Sequence, residues 1–110
     1  RLRDQNSALE RALEIIHDCD NLPITVTELS IQVNTSLSTL ARSFVARFGV
    51  TPKVYLRARC LSAVRDQLAM SPPETRIAEI ANRWGFWHMG QFAHDFRRMF
   101  GELPSETLKK

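Results

Sequence analysis

Arg42 offers more hydrogen-bonding capacity than any neighbouring side chain, because its planar guanidinium presents a fork of donors that engages two acceptors at once, as on guanine O6 and N7. Ser38, Thr39, Ala41 and Ser43 surround it. Small hydroxyl side chains fit base edges or phosphates, and they let a helix approach closely. A second set comprises His88, Met89, Gly90, Gln91 and His94. Gln91 can pair with adenine N6 and N7, Met89 can touch a thymine methyl, and His94 can donate to a base or a phosphate. Ser36, Arg47, Lys53, Arg57, His88, Arg97 and Arg98 are candidates for contacts to a phosphate backbone, which add affinity but carry no sequence information. Each residue also has a plainer reading as a solvated surface side chain. Asp95 would repel phosphate unless it faces Arg98 three positions on and orients it.

Other chemistries lack their residues. His88 and His94 are six positions apart, whereas a helical metal pair needs i, i+4 spacing, so no metal or other cofactor is expected. No Ser/His/Asp order, paired-carboxylate arrangement or Gly-rich phosphate loop stands out, and His17, His88 and His94 share no evident geometry, so no enzyme is expected.

The elements that must position these side chains form a repeat. Leu40-Ala41-x-x-Phe44-x-x-x-Phe48-Gly49-x-x-Pro52 recurs as Phe92-Ala93-x-x-Phe96-x-x-x-Phe100-Gly101-x-x-Pro104, a constant shift of 52 positions. Apolar residues at i, i+4 and i+8 make one face of a helix, and the following Gly suits the left-handed residue that ends it. Each copy is preceded by a short apolar helix, around Thr27-Glu28-Leu29-Ser30 and Glu79-Ile80-Ala81. Helix, turn, helix, twice over, is an arrangement that DNA-reading proteins use.

Local signals place the boundaries. Arg1-Leu2-Arg3-Asp4-Gln5-Asn6 reads as a linker, and Leu9, Ala12, Leu13 and Ile16 form a stripe on a helix from Ser7 to Cys19. Asp20-Asn21-Leu22-Pro23 breaks it. Thr25-Val26-Thr27-Glu28 has the form of a capping box, with Ile24 and Leu29 placed as a hydrophobic staple. The helix from Val26 runs to about Val33, Asn34-Thr35 makes a turn, and Ser36 caps a helix from Leu37 to Phe48. On it Leu37, Leu40, Phe44, Val45 and Phe48 are expected to point inward. Thr51-Pro52 opens a long helix to about Ala69, with Tyr55, Leu61, Val64 and Leu68 on a partly apolar face. Met70-Ser71-Pro72-Pro73-Glu74 is a break. The second unit opens near Thr75 or Arg76, turns at Gly85-Phe86, and continues as a helix from about His88 to Phe100 with Phe92, Phe96, Met99 and Phe100 inward. Pro104 to Leu108 closes the chain.

The expected fold is therefore all-α, with about seven helices. Residues 1–50 form a first helix-turn-helix subdomain with an N-terminal packing helix, 51–70 a linker helix, and 71–110 a second subdomain. With 110 residues and 44% hydrophobic content the chain can bury one modest core or two small ones. The net charge is only +3, yet Leu29 to Arg65 holds six bases and no acid, against three bases and six acids in residues 1–28. That concentration attracts phosphate far more than the average implies. Cys19 and Cys60 lack metal or redox spacing and read as reduced thiols of a cytoplasmic protein. No apolar run approaches the ~20 residues of a membrane span, so no membrane partner is expected.

The pattern Leu29-Ser30-x3-Asn34-x-Ser36-x3-Leu40-x-Arg42-x-Phe44-x3-Phe48-Gly49-Val50-Thr51-Pro52-x2-Tyr55-Leu56-x2-Arg59, with Ile77-Ala78-Glu79-Ile80-Ala81-x3-Gly85-Phe86 and Phe92-x3-Phe96-Arg97-x2-Phe100-Gly101-x2-Pro104-Ser105, closely resembles the DNA-binding domain of the AraC/XylS family of bacterial transcription regulators. The match covers roughly Thr25 to Leu108. The resemblance implies two recognition helices, about 37–48 and 88–100, entering adjacent major grooves of double-stranded DNA, and often activation through RNA polymerase. In many members an N-terminal domain binds an effector or dimerises, and the start at Arg1 rather than Met is read here as the C-terminal part of such a protein. A linker helix of ~18 residues is about 27 Å long, and with two packed subdomains it can bridge the ~34 Å between successive grooves. Trp87-His88 stands where the family motif has a short polar residue, leaving the second recognition helix without an N-cap residue. Gly90 replaces a frequent Ser, Thr107 a frequent Tyr and Cys60 a common base. The competing reading is a helical protein-interaction module that does not bind DNA.

Overall fold

The computed structural model describes residues 2–110, with side chains described from Asn6 onward. Among the described residues there are seven α-helices, one 3₁₀ turn and no strand: α1 (Leu2–His17), the 3₁₀ turn (Cys19–Asn21), α2 (Val26–Gln32), α3 (Leu37–Phe48), α4 (Pro52–Ala69), α5 (Ile77–Arg83), α6 (Met89–Phe100) and α7 (Pro104–Lys109). The all-α expectation holds. The chain divides into two compact units, one up to Arg59 and the other from Cys60 to Lys110, so the boundary falls within α4.

In the first unit α1 and α2 both pack on α3. Their contributions to the core are Ala8, Leu9, Ala12 and Ile16 from α1, Leu29 from α2 and Leu40 and Phe44 from α3, all nearly inaccessible. Tyr55 of α4 closes an aromatic group, its ring centroid 5.4 Å from Phe44 and 4.7 Å from Phe48. α1 starts at Leu2 rather than at the expected Ser7, because nothing between Leu2 and Asn6 is a helix breaker: Leu, Arg and Gln all favour the helix. The α2 capping box is present in full, with Glu28 N–H donating to Thr25 Oγ1 at 3.0 Å and Thr25 N–H donating to Glu28 Oε1 at 3.1 Å.

In the second unit Leu61, Val64 and Leu68 of α4, Ile80 and Ala81 of α5, and Phe92 and Phe96 of α6 are buried. Phe86, Phe92, Phe96 and Phe100 form a chain of rings with successive centroids 5.2, 5.8 and 4.7 Å apart. The Arg65 guanidinium lies 4.9 Å from the Phe100 centroid, covering the end of that chain with a cation–π contact. Trp84 Nε1 donates to Gln67 Oε1 at 3.0 Å, so the indole has a partner for its only polar atom.

Three residues expected to face inward do not. Val45 is 48% exposed, because it stands ~100° around the helix from Phe44 and so off the buried arc. Leu37 and Met99, 50% and 45% exposed, lie in the first turn of α3 and the last turn of α6. In the two Phe-x-x-x-Phe stripes Phe44 and Phe96 are buried as expected, while Phe48 and Phe100 at the helix ends are half-buried.

Candidate nucleic-acid interface

The turns that set each second helix against its first are built by the same backbone device. In the first unit Thr35 N–H donates to Ser30 O and Asn34 N–H to Ile31 O; in the second Phe86 N–H donates to Ala81 O and Gly85 N–H to Asn82 O. These are paired Schellman bonds, which need a left-handed residue just past the helix. Asn34 supplies it at φ 55° and Gly85 at φ 89°. Asn and Gly are the residues that enter this region at least cost. From there the copies diverge by one residue. Asn34 and Gly85 are 51 positions apart, whereas the N-caps Ser36 and His88 are 52 apart. The second turn thus accommodates Trp87, which is 69% exposed.

The N-terminus of α3 is organised around its cap. Ser36 Oγ accepts from Thr39 N–H at 3.1 Å and donates to Thr39 Oγ1 at 2.9 Å, while Arg42 Nη2 reaches the same Thr39 hydroxyl at 3.5 Å. Ser38 and Arg42 are exposed and Thr39 and Ala41 half-buried. Ser43, grouped with them from the sequence, is buried and donates to the carbonyl oxygens of Thr39 and Leu40 at 2.8 and 3.1 Å. Ser43 stands three residues after buried Leu40 and so on the same side of the helix, opposite to the direction in which Val45 leaves the buried arc, and its hydroxyl is satisfied by its own helix. It is not available to a ligand.

α6 lacks such a cap. His88 makes no side-chain cap bond, as its sequence suggests, since an imidazole is not among the side chains that cap well. Gln91 and His94 are exposed, and Gln91 Nε2 donates to Asp95 Oδ1 at 2.8 Å. Asp95 thus has an i−4 partner on the N-terminal side, which the spacing to Arg98 alone does not suggest. Met89 is half-buried and lines an apolar hollow with Ile77, Phe92, Leu103 and Pro104. Only part of it remains outward.

The remaining cations Arg47, Lys53, Arg57, Arg97 and Arg98 are exposed, as are Ser36 and His88. The Arg47 guanidinium carbon lies 5.6 Å from the Phe48 centroid, a cation–π contact at the exposed end of α3. Neither cysteine is in a disulfide; Cys19 is exposed and Cys60 buried. Among the described residues no three His, Cys, Asp or Glu gather as a metal site, and no helix is long and apolar enough to cross a membrane.

Two units, each setting a 12-residue helix behind a left-handed turn and ending it on a left-handed glycine, Gly49 at φ 74° and Gly101 at φ 77°, define a duplicated helix-turn-helix protein. The sequence model for a helix-turn-helix domain matches residues 29–110. Among similar proteins, a xylDLEGF operon transcriptional activator of Pseudomonas putida is 37% identical over 96% of this chain, and a probable thc operon regulatory protein of Rhodococcus erythropolis is 38% identical over 79% of it. The crystal structure of a probable AraC family transcriptional regulator from Rhodopseudomonas palustris matches with a TM-score of 0.79 at 31% identity, covering 93% of this chain and 94% of that one. The chain belongs to the AraC family of helix-turn-helix transcriptional regulators. It spans 33% of the length of the Pseudomonas activator and 26% of the Rhodococcus protein.

Proposed function

We propose that this chain binds double-stranded DNA sequence-specifically, with α3 and α6 in adjacent major grooves. The observation that carries the reading is the pairing, on each helix, of a buried aromatic back with an exposed polar front: Phe44 behind Ser38 and Arg42, and Phe92 and Phe96 behind Gln91 and His94. A helix held this way presents its first turns to a groove without exposing its core. Ser38, Thr39 and Arg42 read bases from α3, and Gln91, His94 and the outward part of Met89 read them from α6. Ser36, Arg47, Lys53, Arg57, His88, Arg97 and Arg98 hold the backbone.

The relatives' greater length extends the proposal to a longer regulator in which a further domain binds an effector or dimerises, and the activators among them extend it to RNA polymerase as a partner. Selection of bound sequences from a random duplex pool, followed by a footprint, tests the core claim. The expected result is an asymmetric site protected in two patches about 10 base pairs apart, with affinity that falls as salt rises. Equal affinity for random DNA would refute the sequence-specific part, and no duplex binding at all would leave a protein-interaction module as the better reading.

A further inference from the structure

We infer that Asp95 is a positioning residue that fixes the Gln91 amide so that α6 selects adenine and rejects guanine. This rests on the DNA-binding reading above and specifies what one of its side chains recognises.

The argument starts from the hydrogens of one amide. Gln91 Nε2 carries two, and one is held by Asp95 Oδ1 at 2.8 Å. Because the acceptor is a carboxylate, the bond is charge-assisted and stronger than a neutral one. It also assigns the two ends of the amide, since a carboxylate accepts from nitrogen and repels the carbonyl oxygen. Gln91 is therefore left with one free N–H and one free carbonyl oxygen. Adenine offers N7 as an acceptor and N6–H as a donor, which matches that pair atom for atom. Guanine offers two acceptors, N7 and O6, and a glutamine can satisfy both only by turning its two N–H groups toward them. Asp95 already occupies one of those groups, and its own oxygens would add repulsion toward O6.

The arrangement is peculiar to α6. The corresponding positions in α3 are Thr39 and Ser43, where Ser43 turns its hydroxyl onto backbone carbonyls and Thr39 is tied to Ser36. A Gln–Asp bond at i, i+4 also steadies a helix slightly, so the test needs a readout that helix stability does not move. Base preference is such a readout.

The selected site is first mapped with Gln91→Ala, and the base pair whose preference disappears is the one Gln91 reads. Fluorescence anisotropy then compares duplexes carrying A or G at that position. The 110-residue chain should prefer adenine ~10-fold, within the range of a good bidentate contact. Asp95→Ala should reduce the preference to about twofold or less, chiefly by tighter binding of the guanine duplex. Asp95→Asn, which keeps an acceptor oxygen, should retain most of it, and Asp95→Ala should change nothing further in a Gln91→Ala background. Matched circular-dichroism melts confirm that each variant is folded. Tenfold discrimination surviving Asp95→Ala, a Gln91-dependent base other than adenine, or Asp95→Asn behaving like Asp95→Ala overturns the inference and leaves DNA binding standing. Failure of the unaltered chain to select any sequence overturns both.

Discussion

Arg11 Nη2 donates to the carbonyl oxygen of Val33 at 2.6 Å, joining the middle of α1 to the end of α2 across 22 residues of sequence. Val33 is the C-cap of α2, and carbonyls at a helix end have no partner within their own helix. The guanidinium supplies one and also bonds Ser7 Oγ at 2.7 Å. α1 is thereby tied into the first unit, although the family sequence model begins at residue 29.

Replacing Arg11 with Met keeps the stem and removes both bonds. The expected loss is about 1.5–3 kcal/mol of stability, the range for a hydrogen bond to a charged group. Urea unfolding followed by the Tyr55 signal, which reports on the first unit, measures it. A change of less than ~0.5 kcal/mol would show the bond to be dispensable.

The division of labour on α3 is testable by salt. Arg42→Ala should cost ~1–3 kcal/mol on the selected site and relax preference at one base pair, whereas Arg47→Ala should weaken all sequences alike and lower the slope of log affinity against log salt by about 1. Parallel titrations of selected and random duplexes separate the two. Identical behaviour of both variants would contradict the assignment.

The same substitution should have opposite signs at two glycines. Gly49 sits at φ 74°, so Gly49→Ala should cost about 1–2 kcal/mol for a left-handed alanine, even though its added Cβ meets nothing within 4 Å. Gly90 is the second residue of α6, with open space where a Cβ would go. Gly90→Ala should therefore stabilise, by up to about 0.5 kcal/mol at this end position. Thermal melts of the two variants should move in opposite directions.

Acid should weaken the start of α2. Glu28 is held below its ordinary value of 4.5 by hydrogen bonding to the Thr25 side chain and then to the Thr25 backbone N–H. A carboxylate with a depressed pKa contributes stability that is present above the unfolded value and lost as pH falls through the folded one. Stability should thus decline as pH drops below ~4.5, and Glu28→Gln should remove that part of the decline. Glu102, lowered by Lys110 and Thr107, contributes in the same direction in the second unit and is tested by Glu102→Gln. The measurement is stability against pH for both variants beside the parent chain.

The helices and their ends were readable from composition and spacing because their causes are local. Thr25 and Glu28 satisfy each other three residues apart, Asn34 and Gly85 turn the chain by their own backbone preferences, and Phe44 and Phe48 repeat at the period of one helix face. A reader of the sequence needs no distant atom for any of these. The exposed front of each second helix was legible for the same reason, as the complement of the aromatic stripe.

Leu37, Val45 and Met99 mark where that reading stops: their hydrophobicity predicts burial, but burial requires a covering surface, and that surface belongs to other parts of the chain. Ser43 is the converse, a polar residue inside because it stands one turn from buried Leu40 on the covered side of the helix. The Arg11–Val33 bond depends on α1 lying across the end of α2, which no spacing within either segment encodes. Periodicity and capping specify what each helix is, since they act over three or four residues. Which atoms each helix can then offer to a partner is settled by long-range packing, where solvent exclusion and hydrogen-bond supply come from residues far away in the chain.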